Sequence, residues 1–317
     1  MTARQTAAIV GAGLVGAGWA IVFARAGWSV RVYDAAADVR ARVRDQIAGN
    51  VNDLARFQLI DEAPDAVMAR IAVTADLADA VSGAAYVQES AFETVEAKRA
   101  VYAALDAVAP PDAPIGSSSS GIPASAFTEG CTTRARMLIA HPVNPPYLVP
   151  LVELVPAPWT DAAAVDRTHT IMAAVGQEPI RIAAEIEGFV LNRLQGALLN
   201  EAWVLFEAGY ASAADIDKTV SVGLGLRWSF MGPFETIDLN APAGVADYAR
   251  RLGPLYHAVA QSRTQPRPWG AALIAKVDAE RRAQLPANGL DARRAWRDRR
   301  LMALAAHKRK AAREIGS

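Results

Sequence analysis

A chain of 317 residues with 33 Lys+Arg against 33 Asp+Glu has no net charge, so composition gives no reason to expect nucleic acid or an anionic membrane as its partner. Its length and its half-hydrophobic composition argue for two domains with ample core, and no apolar stretch is long enough to span a bilayer. The single cysteine, Cys131, excludes an intramolecular disulfide and a cysteine-rich metal site; no metal is expected, a reducing cytoplasm is the default, and nothing near the N-terminus reads as a signal peptide.

The chain opens with a strand over 6–10, then Gly11-Ala-Gly13-Leu-Val-Gly16, a helical pattern through Ala26 and a Gly27 stop. A second strand over 29–33 ends at Asp34. In this pattern Gly11 permits a tight turn, Gly13 lets backbone approach a pyrophosphate, and Gly16 lets helix pack close on strand. The phosphates then sit at a helix N-terminus, where unpaired N–H groups favour negative charge. Asp34 stands about 20 residues beyond the glycines, where a carboxylate accepts from a ribose 2′-hydroxyl and repels a 2′-phosphate. The expected cofactor is therefore NAD rather than NADP.

Residues 36–70 are Ala- and Arg-rich with helical spacing, and Arg40, Arg42 and Arg44 read as a solvated face. Short buried strands come next, over 71–74 and 84–88, separated by an acidic helical turn. Glu93 opens the next helix with Lys98 after it, beside the C-terminal end of a parallel strand where ligands of such sheets collect. An ordinary N-terminal acid with a surface lysine is the alternative. Ser117-Ser118-Ser119-Ser120-Gly121 comes after a short strand; the run either caps a new helix or places hydroxyls at the nicotinamide pocket.

Residues 138–158 hold His141 after an apolar triplet and Glu153 inside a second apolar run, with a proline-rich loop between them. A carboxylate in a Leu/Val strand needs a partner, and His141 is the candidate. A histidine whose second ring nitrogen donates to a carboxylate is fixed in tautomer and made more basic, which suits a general base. The alternative is a strand-end histidine and a glutamate facing solvent. Beyond them lie a helix over 161–175 and a strand over 178–181, after which strand signals cease and residues from Gly188 onward read as helical. Asn192 lies on an apolar stripe with Gly196, Leu199, Trp203 and Phe206, so its amide should bond either substrate or a backbone carbonyl. Residues 291–313 form a basic helix with a solvated charged face, which Trp296, Leu301 and Leu304 could pack down.

These features resemble the 3-hydroxyacyl-CoA dehydrogenase superfamily over nearly the whole chain. The glycine motif, His141 with Glu153, and Gly188-Phe-Val-Leu-Asn192-Arg193 carry the likeness. Longer strings sharpen it: His141-Pro-Val-Asn-Pro-Pro-Tyr147, Val149-Pro-Leu-Val-Glu153-Leu-Val-Pro156, Gly223-Leu-Gly-Leu-Arg227 and Gly232-Pro-Phe-Glu235-Thr. The resemblance implies a catalytic Ser, His, Glu and Asn, falling on Ser120, His141, Glu153 and Asn192, and NAD contacts at Leu14, Val15, Asp34, Glu93 and Lys98. Around the serine the chain reads Ser-Ser-Gly-Ile-Pro, tighter than the family pattern, which keeps Ser119 open as a substitute for Ser120.

The expected fold class is α/β: a Rossmann-type, doubly wound NAD-binding domain over 1–187, then an all-helical domain over 188–317 that binds substrate and forms a homodimer. The dimer is expected from the density of apolar residues after Gly188, Trp203, Phe206, Trp228 and Phe230 among them, and from the resemblance. The implied reaction is hydride transfer to NAD from a 3-hydroxy acid, with His141 removing the hydroxyl proton, Glu153 stabilising the imidazolium, and Ser120 and Asn192 binding the reacting oxygen. No lysine cluster suited to CoA phosphates is evident. Arg227, with a planar fork suited to a free carboxylate, suggests a small acid, unless it makes an interdomain salt bridge; that this acid is a polar one such as L-gulonate is what the resemblance implies. A 3-hydroxyacyl-CoA or carnitine is the alternative substrate, and a cofactor-binding structural protein without turnover is the alternative from another class.

Overall fold

The computed structural model describes residues 5–262 and 268–316. Among the described residues one sheet carries all eight strands: β1 (Thr6–Val10), β2 (Ser29–Tyr33), β3 (Ile71–Thr74), β4 (Tyr86–Glu89), β5 (Ile115–Ser117), β6 (Met137–Pro142), β7 (Leu151–Pro156) and β8 (Glu178–Arg181). Their spatial order is β3-β2-β1-β4-β5-β6-β7-β8. The first six run parallel, β7 turns back antiparallel to β6, and β8 runs parallel to β7. Successive strand side chains point to opposite faces, and here both faces are covered. Ala7 and Ile9 of β1 enter one hydrophobic core with Trp19, Phe23 and Ile47, while Ala8 and Val10 enter the other with Tyr102, Ile115 and Phe127. The expected doubly wound α/β domain is present, with α1 (Leu14–Arg25), α2 (Ala37–Arg56), α3 (Pro64–Met68), α4 (Leu77–Val81), α5 (Val95–Val108), α6 (Ser125–Thr128) and α7 (Ala162–Ala174) in its connections.

The C-terminal part is helical, as expected: α8 (Leu191–Glu207), α9 (Ala213–Lys218), α10 (Gly225–Trp228), α11 (Pro233–Leu239), α12 (Gly244–Gln261), α13 (Ala271–Gln284) and α14 (Leu290–Ile315), with a π-helical stretch over Thr219–Leu224. Ser212 caps α9, accepting the N–H of Asp215 at 3.2 Å, and Gly209 beyond the end of α8 takes a left-handed φ of 75°. By contact the chain divides into two compact units, one of Met1–Leu194 with Trp296–Lys310 and one of Gln195–Ala295 with Ala311–Ser317. The middle of α14 thus belongs to the sheet unit. Met302, 1% exposed, lies in the sheet unit's core, and Arg309 donates to the Gln58 carbonyl and pairs with Asp61 at 2.8 Å. Trp296 and Leu304 remain exposed, so the anchoring side chain is Met302.

Candidate active site

His141 and Glu153 are direct partners in the antiparallel register of β6 and β7, which sets their side chains on one face of the sheet. His141 Nδ1 stands 2.7 Å from Glu153 Oε2, and both residues are buried. The other oxygen, Oε1, accepts the backbone N–H groups of Val190 at 2.9 Å and Leu191 at 2.8 Å, where α8 begins. The carboxylate therefore also sits at the positive end of a helix. Gly188 and Phe189 just before it both take positive φ, 75° and 50°. A bulky residue in that conformation costs about 1–3 kcal/mol. The Phe189 ring is fully buried, with its centroid 5.7 Å from that of the imidazole.

Burial by itself would raise the pKa of Glu153. Hydrogen bonds from His141 and from the Leu191 and Val190 N–H groups outweigh burial and hold the carboxyl below its ordinary 4.5. An ionised carboxylate only accepts, which assigns the proton to Nδ1 and leaves the lone pair of Nε2 to take a proton from a substrate.

The serine run lies beside this pair but does not cap a helix, since α6 starts at Ser125 with no side-chain cap. A carboxylate holds the run instead. Glu93 Oε1 accepts the Ser119 hydroxyl at 2.6 Å and the N–H groups of Ser120 at 2.8 Å and Gly121 at 3.3 Å. Burial pushes the Glu93 pKa up, but the Ser119 hydroxyl, Lys98 and the two N–H groups bring it below its ordinary value. Ser119 is buried, its one proton held by Glu93 and its oxygen accepting the Ile122 N–H at 3.1 Å; Ser120 is exposed. The Asn192 amide, on the first turn of α8, donates to the Ser120 carbonyl at 2.7 Å. The backbone carbonyl, one of the two partners expected for Asn192, is thus present.

Glu93 lies ahead of α5, whose cap is Thr94, accepting from Ala97 N–H at 3.2 Å. Lys98, expected at the cofactor or on the surface, is not on the surface. Its side chain is 1% exposed, with Nζ 3.1 Å from Glu89 Oε2, 3.5 Å from Glu93 Oε2 and 3.4 Å from Ser117 Oγ. The enclosed ammonium meets the serine run directly at Ser117 and through Glu93.

At the other end of the strand row the glycines divide by role. Gly11, at φ 100°, is pressed on Ser90: a Cβ there would lie 2.5 Å from the Ser90 carbonyl oxygen. A Cβ on Gly16 would lie 1.8 Å from the Gly11 carbonyl oxygen. Gly13 is different, because a Cβ would meet nothing within 4 Å. It precedes α1 without a side-chain cap, beside the exposed Leu14 and the partly buried Val15, so the first N–H groups of α1 remain for an anion. Asp34 accepts the N–H of Ala12 at 2.8 Å and of Ala36 at 2.9 Å, which fixes the carboxylate at the end of β2. The residues present therefore fit a dinucleotide, which would lie along Gly13, α1 and Asp34. Arg40 turns back on the Asp34 and Ala35 carbonyls at 2.6 and 2.9 Å, Arg42 pairs with Asp38 at 2.8 Å, and Arg44 donates to the Ile71 carbonyl at 2.7 Å.

Arg227 belongs to the second unit, exposed on α10. Sequence reasoning missed Glu89, whose carboxylate accepts the Ser117 hydroxyl at 2.5 Å and the Ala91 N–H at 2.6 Å. The signal is an acid closing an apolar strand, much as Glu153 stands within one.

Comparison with known proteins places residues 6–186 in the NAD-binding domain of 3-hydroxyacyl-CoA dehydrogenase and residues 188–284 in the C-terminal domain of the same family. The chain is 41% identical over 304 residues to a lambda-crystallin homolog of Bos taurus, covering 94% of each. It is 40% identical to an L-carnitine dehydrogenase of Streptomyces griseus, covering 78% of this chain and 73% of that one. The crystal structure of 5-formyl-3-hydroxy-2-methylpyridine 4-carboxylic acid 5-dehydrogenase, an NAD+-dependent dismutase, matches with a TM-score of 0.81 at 26% identity, over 96% of this chain and 98% of that one.

Proposed function

The chain belongs to the 3-hydroxyacyl-CoA dehydrogenase family of NAD-dependent oxidoreductases, and from that premise we propose that it oxidises the 3-hydroxyl of a small polar 3-hydroxy acid, L-gulonate to 3-dehydro-L-gulonate before others. The observation that carries the reading is the His141–Glu153 pair, with Nδ1 on the carboxylate and Nε2 left as a base. His141 takes the hydroxyl proton, and Glu153 stabilises the imidazolium so formed. Bound NAD supplies the hydride acceptor. The Ser120 hydroxyl and the Asn192 amide polarise the reacting oxygen, with Asn192 keeping the serine loop in place through the Ser120 carbonyl. Gly11, Gly13, Leu14, Val15, Gly16 and Asp34 line the cofactor; Glu93 and Lys98 serve it by fixing the serine run.

A small acid is favoured by the resemblance to L-gulonate 3-dehydrogenase, the enzyme identical to lambda-crystallin. The fold match to a dehydrogenase of a pyridine carboxylic acid favours it too. Arg227 is the group we assign to the substrate carboxylate, as a bidentate partner. The likeness to an L-carnitine dehydrogenase makes carnitine the second reading, and a 3-hydroxyacyl-CoA the third. NADH formation with L-gulonate, 3-hydroxybutyrate, L-carnitine and 3-hydroxybutyryl-CoA tests this directly. L-gulonate should give the highest kcat/KM, and a thioester surpassing every free acid would overturn the assignment.

We assign 1–187 to cofactor binding and 188–317, apart from 188–194 and 296–310, which pack with the sheet unit, to substrate binding and a homodimer, working in a reducing cytoplasm. The dimer is supported by the second unit's surface: among the described residues α9, α10, α12 and α13 bury no side chain, and Val222, Phe230 and Phe234 are 71%, 68% and 79% exposed. A monomer so exposed needs a second copy to cover it. Light scattering at micromolar concentration should give twice the chain mass; the monomer mass would refute the dimer.

A further inference from the structure

The three strands β1, β4 and β5 end side by side, and a hydroxyl network joins the ends of β4 and β5. Ser118, just past β5, has one hydroxyl with one proton and two lone pairs. Trp19 Nε1 stands 3.1 Å from its Oγ and Gln88 Nε2 stands 2.8 Å from it. An indole nitrogen only donates. The orientation of the Gln88 amide is fixed from both ends, since Nε2 also donates to the Ala140 carbonyl at 3.2 Å and Oε1 accepts the Tyr86 hydroxyl at 2.6 Å. Both lone pairs of Ser118 are therefore occupied, and its proton has one place to go, Ser90 Oγ at 2.8 Å. Ser90 is the acceptor in that pair, so its own proton points elsewhere and has no protein acceptor among the described residues.

Ser90 is partly exposed and comes directly after β4, and its carbonyl lies against Gly11, the first residue of the phosphate turn. Doubly wound sheets bind a dinucleotide in two halves, and β4 to β6 are the strands of the second, away from Asp34. We propose that Ser90 is a cofactor-binding residue whose hydroxyl, with its proton direction set by Ser118, donates to an oxygen of the nicotinamide nucleotide half of NAD(H). This rests on the dehydrogenase reading above. The chain Tyr86–Gln88–Ser118, buried at its first two members and anchored by Trp19, keeps the Ser90 proton off Ser118, so one of the directions open to it is closed before the cofactor arrives.

The test is the dissociation constants of NADH, ADP-ribose and AMP, by calorimetry, for the unaltered chain, Ser90→Ala, Ser118→Ala and the double variant. Ser90→Ala should weaken NADH by about threefold to tenfold, the worth of one neutral hydrogen bond, and leave AMP unchanged. A parallel loss for ADP-ribose places the acceptor on ribose or phosphate, and a loss confined to NADH places it on the carboxamide. Ser118→Ala should weaken NADH no more than Ser90→Ala does, and the double variant should match Ser90→Ala, since the two hydroxyls act as one unit. Equal NADH binding by Ser90→Ala and the unaltered chain, or an equal loss for AMP, would overturn the proposal. Failure of the unaltered chain to bind NADH would overturn the dehydrogenase reading and this inference with it.

Discussion

The two ends of the strand row are built on opposite plans. At β6 and β7 the protein supplies partners for both Glu153 oxygens and for one imidazole nitrogen, and buries the pair. At β1 and β2 it shapes a turn whose middle glycine faces nothing of its own and whose helix starts uncapped. The difference teaches where organisation comes from: the His141–Glu153 pair is held by protein groups alone, whereas the glycine turn leaves its donors open. Preorganised charge belongs where a proton moves, and open donors belong where phosphates land.

Substitutions at the two ends should therefore separate chemistry from binding. His141→Ala should lower turnover by about two to four orders of magnitude while NADH still binds, read by steady-state rates and calorimetry. Glu153→Gln should act in the same direction, and the double variant should lose little more than the larger single loss; additive losses would break the unit. Gly13→Ala should fold normally yet weaken NADH by roughly tenfold, because its Cβ enters the space a pyrophosphate needs. Gly16→Ala should instead lose about 1–3 kcal/mol of stability in urea, through collision with the Gly11 carbonyl.

Smaller again, Asp34→Ala should narrow the preference for NAD over NADP, and equal efficiency with both in the unaltered enzyme would refute the role of Asp34. The pH dependence is the subtlest. Since the folded Glu153 pKa lies below 4.5, its contribution to stability is present above that value and is lost as pH falls through the lower folded value. The urea midpoint should fall with acid through that range, and less so in Glu153→Gln.

What the sequence discloses is what lies close along it. The glycine turn and its acid occupy one βαβ unit, and His141 and Glu153 face each other across one hairpin, so spacing alone brings them together. Lys98 is not legible in this way, since its place depends on Glu89 closing β4 one residue beyond the expected strand end, and on Ser117 from the neighbouring strand. The serine run is equally ambiguous, because its partner Glu93 is 26 residues away from Ser119. Periodicity offers Trp296, Leu301 and Leu304 as the anchors of α14, yet Met302 is the side chain that enters the core, a choice made by tertiary packing and invisible to helical spacing.

That anchor bears on how the protein is made. Arg309 meets Gln58 across 251 positions of sequence, and Met302 fills a core whose other members all lie before residue 176. On a ribosome the sheet emerges first and must wait, its core lacking one side chain, until the whole helical segment between has been synthesised. Closure over so long a loop slows folding and leaves apolar surface uncovered in the interval. Chains stopped short of residue 296 should accordingly depend on chaperones and be degraded faster in pulse-chase than the full chain, a vulnerability set by synthesis and not by the stability of the finished fold.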